Sequence, residues 1–218
     1  MTKRQPSVRS EGRKTQAERT ALSDRRMFDA AVELINERGT QKTTLKEIGE
    51  RAGYSRGLAN YRFGSKDGLM LELFERFDAR WKEHLQVYIA NASGLEALRQ
   101  ASIALRDFLK KESRYLRAMY LLWYECLGHE SDMRSILAQH HDVYRSDAQL
   151  WIEQGIAANE IKPSVDPVQF AAQYCAFSFG IVYQWLVNSE ALDIDAVFNN
   201  YIENTIAILT NTQSTVHK

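Results

Sequence analysis

The chain has few of the features that mark secreted, membrane-bound or disulfide-rich proteins. Cys126 and Cys175 are the only two cysteines among 218 residues, so buried free thiols in a reducing cytosol are expected rather than a disulfide framework. No run of about 20 uninterrupted apolar residues occurs, and the basic N-terminus lacks an apolar signal segment. We therefore expect a cytoplasmic protein without a membrane partner.

Recognisable catalytic and metal-binding patterns are also missing. The sequence has no glycine-rich phosphate loop, no nucleophile elbow and no metal-ligand motif. His140 and His141 are adjacent, so on a helix their side chains point about 100° apart and do not form a recognisable ligand set. We predict no catalytic residues, no metal site, no cofactor and therefore no enzyme.

Strand signals are missing as well. No stretch shows sustained alternation of apolar and polar residues bounded by turn dipeptides. Apolar spacing and capping residues instead predict about nine helices, over 20–38, 44–52, 56–61, 65–89, 95–111, 113–127, 131–159, 167–188 and 194–211. The fold class is therefore predicted to be all-α, and 44% hydrophobic residues suffice for a buried core.

The net charge of zero conceals a strong asymmetry along the chain. Residues 1–66 hold 15 Lys and Arg against 8 Asp and Glu, a net charge of +7, and the remainder holds 13 against 20, a net charge of −7. A basic segment supplies the attraction to phosphate that nucleic-acid binding requires. By itself the asymmetry also fits a solvated basic tail without a partner.

Residues 44–66 carry the most informative pattern. Thr44 and Glu47 form a capping box that starts a short helix, and Gly53 ends that helix. Ser55 can cap a second helix two residues later. Helix, short turn and helix together predict a helix-turn-helix unit, whose second helix enters the major groove of DNA.

The whole segment resembles the DNA-binding module of the TetR family of transcriptional regulators. The matching residues are Ala30, Ala31, Ile35, Gly39, Thr44, Leu45, Ile48, Ala52, Gly53, Ser55, Gly57, Tyr61, Phe63, Ser65, Lys66 and Leu69. The resemblance covers roughly residues 20–75. It implies an N-terminal three-helix helix-turn-helix DNA-binding domain followed by a C-terminal helical ligand-binding and dimerisation domain. The chain departs from the family at Ala59 and Asn60, where Leu-Tyr is common.

The predicted domains are 1–18, a flexible basic arm; 19–66, the helix-turn-helix domain; and 67–218, the ligand-binding and dimerisation domain. The arm has the composition of a disordered segment that reaches DNA, and equally that of an inert tail. In the resembled family, the long fourth helix moves the DNA-binding domain when a ligand binds.

Three residues are candidates for contacts with base edges: Ser55, Arg56 and Asn60. Arg can pair bidentately with guanine and Asn with adenine, whereas Ser is short and less selective. Gly57 keeps the helix surface low, so that the backbone can approach the groove. Ser55 also fits a purely structural role as an N-cap.

Phosphate contacts are expected from three further residues. Thr44 offers a hydroxyl and backbone N–H groups at a helix N-terminus. The resemblance assigns phosphate contacts to Tyr61 and to Lys66, which begins the fourth helix.

Aromatic residues are concentrated in the second half of the chain at helical spacing. Such stripes form a core more often than a ligand pocket. The resemblance implies a small inducer between these helices, so we predict a site for a small, largely apolar or aromatic effector. Its candidate residues are Tyr120, Trp123, Tyr124, Trp151, Phe177 and Tyr183.

The last two long helices carry more apolar faces than one helix pair needs, which predicts a homodimer through an intermolecular helix bundle. The residues concerned are Phe170, Tyr174, Phe177, Ile181, Val197, Tyr201, Ile202, Ile206 and Leu209. The alternative is that both faces belong to the core of the subunit itself.

These observations predict a ligand-responsive regulator, a repressor that binds a near-palindromic double-stranded DNA operator as a dimer and is released by its effector. Two alternatives stay open: a transcriptional activator, and a ligand-binding protein without specific operator binding.

Overall fold

The computed structural model describes residues 15–128 and 132–210, with the side chain of Arg56 outside that description. The described residues form eight helices and no strand, which confirms the predicted all-α class. The helices are α1 (Gln16–Arg38), α2 (Leu45–Arg51), α3 (Arg56–Phe63), α4 (Lys66–Ile89), α5 (Gly94–Leu127), α6 (Asp132–Ala157), α7 (Pro167–Val187) and α8 (Ile194–Leu209).

The described part has eight helices rather than the predicted nine because α5 is continuous. The sequence predicted a break between 111 and 113. Only Glu112 leaves helical geometry, with φ −118° and ψ 23°, and the helix resumes at once. The kink lies at the predicted boundary between the two helices, and buried residues on both sides of it, such as Leu109 and Leu116, belong to the same core.

The first helix begins earlier than predicted. Thr15 and Glu18 form a complete capping box, so 16–18 open α1 instead of ending the predicted flexible arm. The rest of that arm, 1–14, lies outside the described residues. The Thr-x-x-Glu spacing that revealed the start of α2 is also present here.

Helices α1, α2 and α3 pack into one unit, which we call the head. Gly53 has φ 80°, a left-handed conformation that a residue without Cβ adopts at no steric cost, and the chain turns there toward α3. Gly49 permits the close approach of the two helices. A Cβ at position 49 would lie 3.0 Å from the Ser55 carbonyl oxygen and 3.3 Å from the Ala59 Cβ.

The long helix α4 joins the head to α5, α6 and α7. One cluster of buried apolar side chains continues from Ile35 and Ile48 in the head through Phe74 to Phe108. A second cluster surrounds Ile152 at the far end. Within the described ranges, no helix has the length and apolarity needed to cross a bilayer.

Candidate nucleic-acid interface and ligand cavity

The outward face of α3 is short, polar and accessible. Ser55 caps the helix by accepting a hydrogen bond from the Leu58 N–H at 3.3 Å, so its structural role is confirmed. Gly57, Asn60 and Tyr61 follow on one helical face and are all exposed. A Cβ at Gly57 would meet no backbone and no side chain closer than the Ser55 Oγ at 3.8 Å, so this part of α3 is open to a partner.

Tyr61 is the strongest sign of a partner on this face. Its side chain is 88% exposed, the largest fraction among the exposed large hydrophobic residues. An aromatic ring bearing a hydroxyl suits a polar partner such as phosphate. The backbone of Arg56 opens the same helix.

Ala59 explains the departure from the family pattern. Its side chain is completely buried, facing Gly49 of α2, so the exchange of leucine for alanine accompanies a close contact between the two helices. Asn60 next to it remains on the exposed face. The departure therefore leaves the helix-turn-helix geometry intact.

Arg62 is a basic residue of α3 whose guanidinium does not lie on the outward face of this helix. Its guanidinium lies 2.9 Å from Asp24 of α1 and 2.9 Å from Glu72 of α4. Arg76 also contacts Glu72, at 2.8 Å. This network braces α3 between its neighbours, a role that sequence reasoning missed because the acidic partners lie far away along the chain.

Thr44 is exposed but already engaged. Its hydroxyl donates to Glu47 Oε2 at 2.7 Å, and its backbone N–H donates to the same oxygen at 3.2 Å. The Thr44 hydroxyl, together with Arg38 at 2.9 Å, lowers the pKa of the Glu47 carboxyl. A phosphate contact at Thr44 therefore has to compete with a carboxylate.

Lys66 lies at the start of α4, where Ser65 caps the helix by accepting from the Gly68 N–H at 3.0 Å. The Lys66 ammonium is 3.8 Å from Glu125 Oε1 of α5. The lysine is partly exposed, so one part of its side chain is accessible while its ammonium contacts the second half of the molecule.

An aromatic cavity lies between α4, α5, α6 and α7. Its volume is about 80 Å³. Three of the predicted effector residues, Tyr120, Trp123 and Trp151, line it. The sequence missed other lining residues, including Trp81, Phe108, Tyr144 and Asp147. Tyr144, Asp147 and Trp151 recur at helical spacing on one face of α6, a signal present in the sequence.

An outer groove of about 260 Å³ adjoins this cavity. Tyr124 and Tyr183 line the groove and not the cavity, and Tyr120, Trp123 and Phe179 line both. Those three side chains therefore form a wall between an inner and an outer apolar space. Five of the six predicted effector residues therefore either form this wall or line one of the two spaces beside it.

Phe177 does not belong with the other five. Its ring stacks on Tyr201 of α8 with centroids 3.5 Å apart, and it lines a separate groove with Val197 and Asn200. Successive side chains of a helix point in different directions around its axis, so Phe177 faces away from the cavity that its neighbours Ser178 and Phe179 line.

The set of residues predicted for the dimer contact also needs correction. Tyr174, Ile181, Ile202 and Leu209 are buried within the subunit itself, as the alternative interpretation of these faces held. Phe170, Phe177, Val197, Tyr201 and Ile206 remain partly exposed. Periodicity could not separate the two groups because α7 is apolar on more than one face.

The kink in α5 touches the head directly. The Tyr115 hydroxyl donates a hydrogen bond to Asp29 of α1, and its ring stacks on Phe28 at 5.6 Å. Arg114 contacts Glu33 of α1 at 3.1 Å, and Arg80 of α4 lies 4.2 Å above the Tyr115 ring. One segment of α5 therefore connects α1 and α4 within two turns of Tyr120.

Both cysteines are free and buried, as predicted. Burial raises the pKa of the Cys175 thiol, which lines the cavity, to about 11, so it is protonated at neutral pH. Within the described ranges no three His, Cys, Asp or Glu side chains form a group suited to a metal ion.

An all-α protein with an accessible helix-turn-helix at one end and an apolar cavity behind it belongs to the class of helix-turn-helix DNA-binding proteins. A family model described as "Bacterial regulatory proteins, tetR family" matches residues 28–73. Residues 28–73 therefore carry the DNA-binding module of the TetR family, which confirms the resemblance found in the sequence motif. This module supports the predicted class of function, a DNA-binding transcriptional regulator.

Relatives cover different shares of the chain. HTH-type transcriptional regulator BetI of Brucella abortus is 28% identical over 116 residues, which are 53% of this chain and 59% of that protein. The probable acrEF/envCD operon repressor of Escherichia coli K12 is 27% identical over 193 residues, 84% of each chain. Among solved structures, the transcriptional regulator FadR of Bacillus subtilis in complex with stearoyl-CoA matches with a TM-score of 0.73 and 19% identity, covering 85% of this chain and 99% of FadR.

Proposed function

We propose that this protein is a repressor that binds a near-palindromic operator as a homodimer and is released by a small, largely apolar effector. The observation that carries the proposal is the placement of α5, which lines the cavity with Tyr120 and Trp123 and holds the head through Tyr115. A repressor activity is supported by the similarity to the operon repressor of Escherichia coli. The proposed operator binding implies a cytoplasmic location for this protein.

The proposed DNA contacts are divided between bases and phosphates. Arg56 and Asn60 read base edges, with Ser55 beside them, while Gly57 allows α3 to approach the groove. Tyr61, Lys66 and the helix start at Thr44 contact phosphates. The proposed domain division has residues 19–66 contacting DNA and 67–218 binding ligand and partner, with α4 shared between the two cores.

A homodimer through α7 and α8 is supported by the chemistry of their outer face. Helix α7 contains no charged residue in 21 positions, although Gln169, Ala172, Gln173 and Ala176 are exposed. An exposed helix without charge is typical of a surface that another subunit covers. Two heads related by a two-fold axis require two half-sites about one or more helical turns apart.

The effector is proposed to act through two connections between the cavity and the head. Tyr144 lines the cavity and donates a hydrogen bond to Asp78 of α4 at 2.8 Å. Tyr115 connects α5 to Asp29 of α1. The cavity of about 80 Å³ is smaller than the few hundred Å³ typical of drug-sized ligands. An effector therefore has to move the rings and helices around it, and those helices hold the head.

The test is selection of genomic DNA fragments by the purified full-length chain at several salt concentrations, followed by sequencing. We expect a shared near-palindrome and a dimer by light scattering. Ala176→Glu on the exposed face of α7 should give monomers and abolish tight operator binding. Ala138→Glu, on the exposed face of α6, is the matched control and should change neither. Recovery of unrelated fragments at every salt concentration contradicts the proposed operator binding.

A further inference from the structure

The cavity contains one carboxylate among rings and aliphatic side chains. Asp147 of α6 is the only Asp, Glu, Lys, Arg or His among the described residues that line it. Three tryptophans line the same space: Trp81, Trp123 and Trp151. A carboxylate in such surroundings loses hydration that apolar neighbours do not replace.

The hydroxyl groups of the cavity already have partners. The Tyr120 hydroxyl donates to the Phe179 carbonyl oxygen at 2.8 Å, and Ser178 donates to the Tyr174 carbonyl oxygen at 2.8 Å. The Tyr144 hydroxyl donates to Asp78 at 2.8 Å. The hydrogen-bonding needs of these hydroxyl groups are therefore met without a ligand, whereas the buried Trp123 Nε1–H has no partner among the described residues.

Asp147 differs from the neighbouring Asp78 in having no such partners. Asp78 accepts from Tyr144 and lies 3.3 Å from His140 and 3.3 Å from Lys82. Over the described ranges, no group makes a hydrogen bond or an ion pair with the Asp147 carboxylate. Burial raises the pKa of Asp147, and the charge of the more distant Lys82 offsets this only in part.

Removing a carboxylate from water is unfavourable unless a cation or donors replace the water. Lys82 does not fill this role because its ammonium is well exposed and pairs with Asp78. A ligand cation entering the cavity would meet the carboxylate and a lining that includes three tryptophan rings, and both attract positive charge. The Asp147 carboxylate would repel an anion.

We propose that the cavity binds a small organic cation, an amine or quaternary ammonium group on an aromatic or aliphatic body, with the Asp147 carboxylate as its counterion. The role of this cation as the effector rests on the function proposed above, whereas the binding site itself does not. The ring wall of Tyr120, Trp123 and Phe179 separates the inner cavity from the outer groove. A longer apolar body extends past this wall into the groove.

The test compares three probes of similar size and different charge on the full-length protein without DNA: benzyltrimethylammonium, its uncharged carbon analogue neopentylbenzene, and the anion 3-phenylpropanoate. Calorimetry or tryptophan fluorescence measures the affinities. We expect the cation to bind at least about tenfold more tightly than the neutral probe, since it alone satisfies a partly buried carboxylate. The anion should be the weakest.

Asp147→Asn should lower the affinity for the cation by about tenfold or more and leave the affinity for the neutral probe unchanged. Asp142→Asn is the matched control on the same helix: Asp142 is exposed and pairs with Arg145, and its loss should affect neither probe. The probe series in the unaltered protein keeps the test informative if a variant folds poorly. Equal affinities for the three probes, preference for the neutral or anionic probe, or absence of cation binding at millimolar concentration overturns the proposal.

Operator affinity is measured separately with and without the cation. Cation binding that depends on Asp147 but leaves operator affinity unchanged supports the site and contradicts its role as effector. Specific operator binding in a protein that takes no cation overturns this site and leaves the proposed repressor function standing. The two failures are thus distinguishable.

Discussion

The Lys66 ammonium of α4 lies 3.8 Å from the Glu125 carboxylate of α5. Lys66 is the residue proposed to bind DNA phosphate, and Glu125 follows Tyr120 and Trp123 on the helix that lines the cavity. The Glu125 carboxylate and a DNA phosphate would therefore compete for the Lys66 ammonium. If Lys66 binds DNA phosphate, DNA binding has to weaken the ion pair between Lys66 and Glu125.

Glu125→Gln should tighten binding to operator and to random DNA alike. A partly exposed ion pair is worth about 0–1 kcal/mol, which corresponds to an increase in affinity of up to about fivefold. Fluorescence anisotropy at low salt measures the change. Glu96→Gln at the other end of α5, where Glu96 pairs with Arg99, is the control and should have no effect. Weaker binding by the Glu125 variant would show that the carboxylate does not compete with DNA.

Lys66→Ala should weaken all DNA sequences by a similar factor. A phosphate contact carries no sequence information, and its loss should reduce the slope of log affinity against log salt by about 1. Anisotropy titrations on operator and on scrambled DNA over a range of salt concentrations provide the measurement. An unchanged slope would remove Lys66 from the phosphate contacts.

Arg56→Ala should act mainly on sequence preference. A bidentate contact with guanine is worth about 1–3 kcal/mol of discrimination, so operator affinity should fall by that amount while affinity for random DNA changes little. Competition of the two DNAs for the same variant measures the ratio directly. Equal losses on both DNAs contradict a base contact by Arg56.

Ala59→Leu, which restores the common family residue, should destabilise the head. Ala59 is completely buried against Gly49, and overpacking such a contact costs about 1–3 kcal/mol of the free energy of unfolding. Thermal unfolding by circular dichroism measures the loss. Gly57→Ala makes the useful contrast, because the added methyl group points into open space on α3. The Gly57→Ala variant should keep or slightly raise the free energy of unfolding while its affinity for DNA falls. A loss of stability in both variants would contradict the role assigned to the contact between Ala59 and Gly49.

Local signals predicted the helix starts well. Thr44, Ser55, Ser65, Asp166 and Asp193 all cap helices in the structure, since capping depends only on residues within one turn. The start of α1 at Thr15 was missed although it carries the same signal. The boundary predicted near Ser113 corresponds to the kink at Glu112.

The side chains of the second half were harder to predict because their roles depend on how helices cross. Helix α7 has no charged residue, so its sequence does not show which side faces Phe198 and which faces solvent or a partner. Arg62 turned inward to acidic residues of two other helices, a contact that spacing along α3 cannot reveal. Asp147 stood out only once four helices placed aromatic rings around it.

The hydrogen bond from Tyr115 to Asp29 has a consequence for the proposed regulation. It joins the helix of the cavity to the first helix of the head, so effector and DNA bias one and the same equilibrium. Such coupling is reciprocal: the factor by which the effector lowers operator affinity is the factor by which operator DNA lowers effector affinity. DNA then acts as a competitor of a molecule that it never touches, and a protein already on its operator responds only to a higher effector concentration than a protein free in solution.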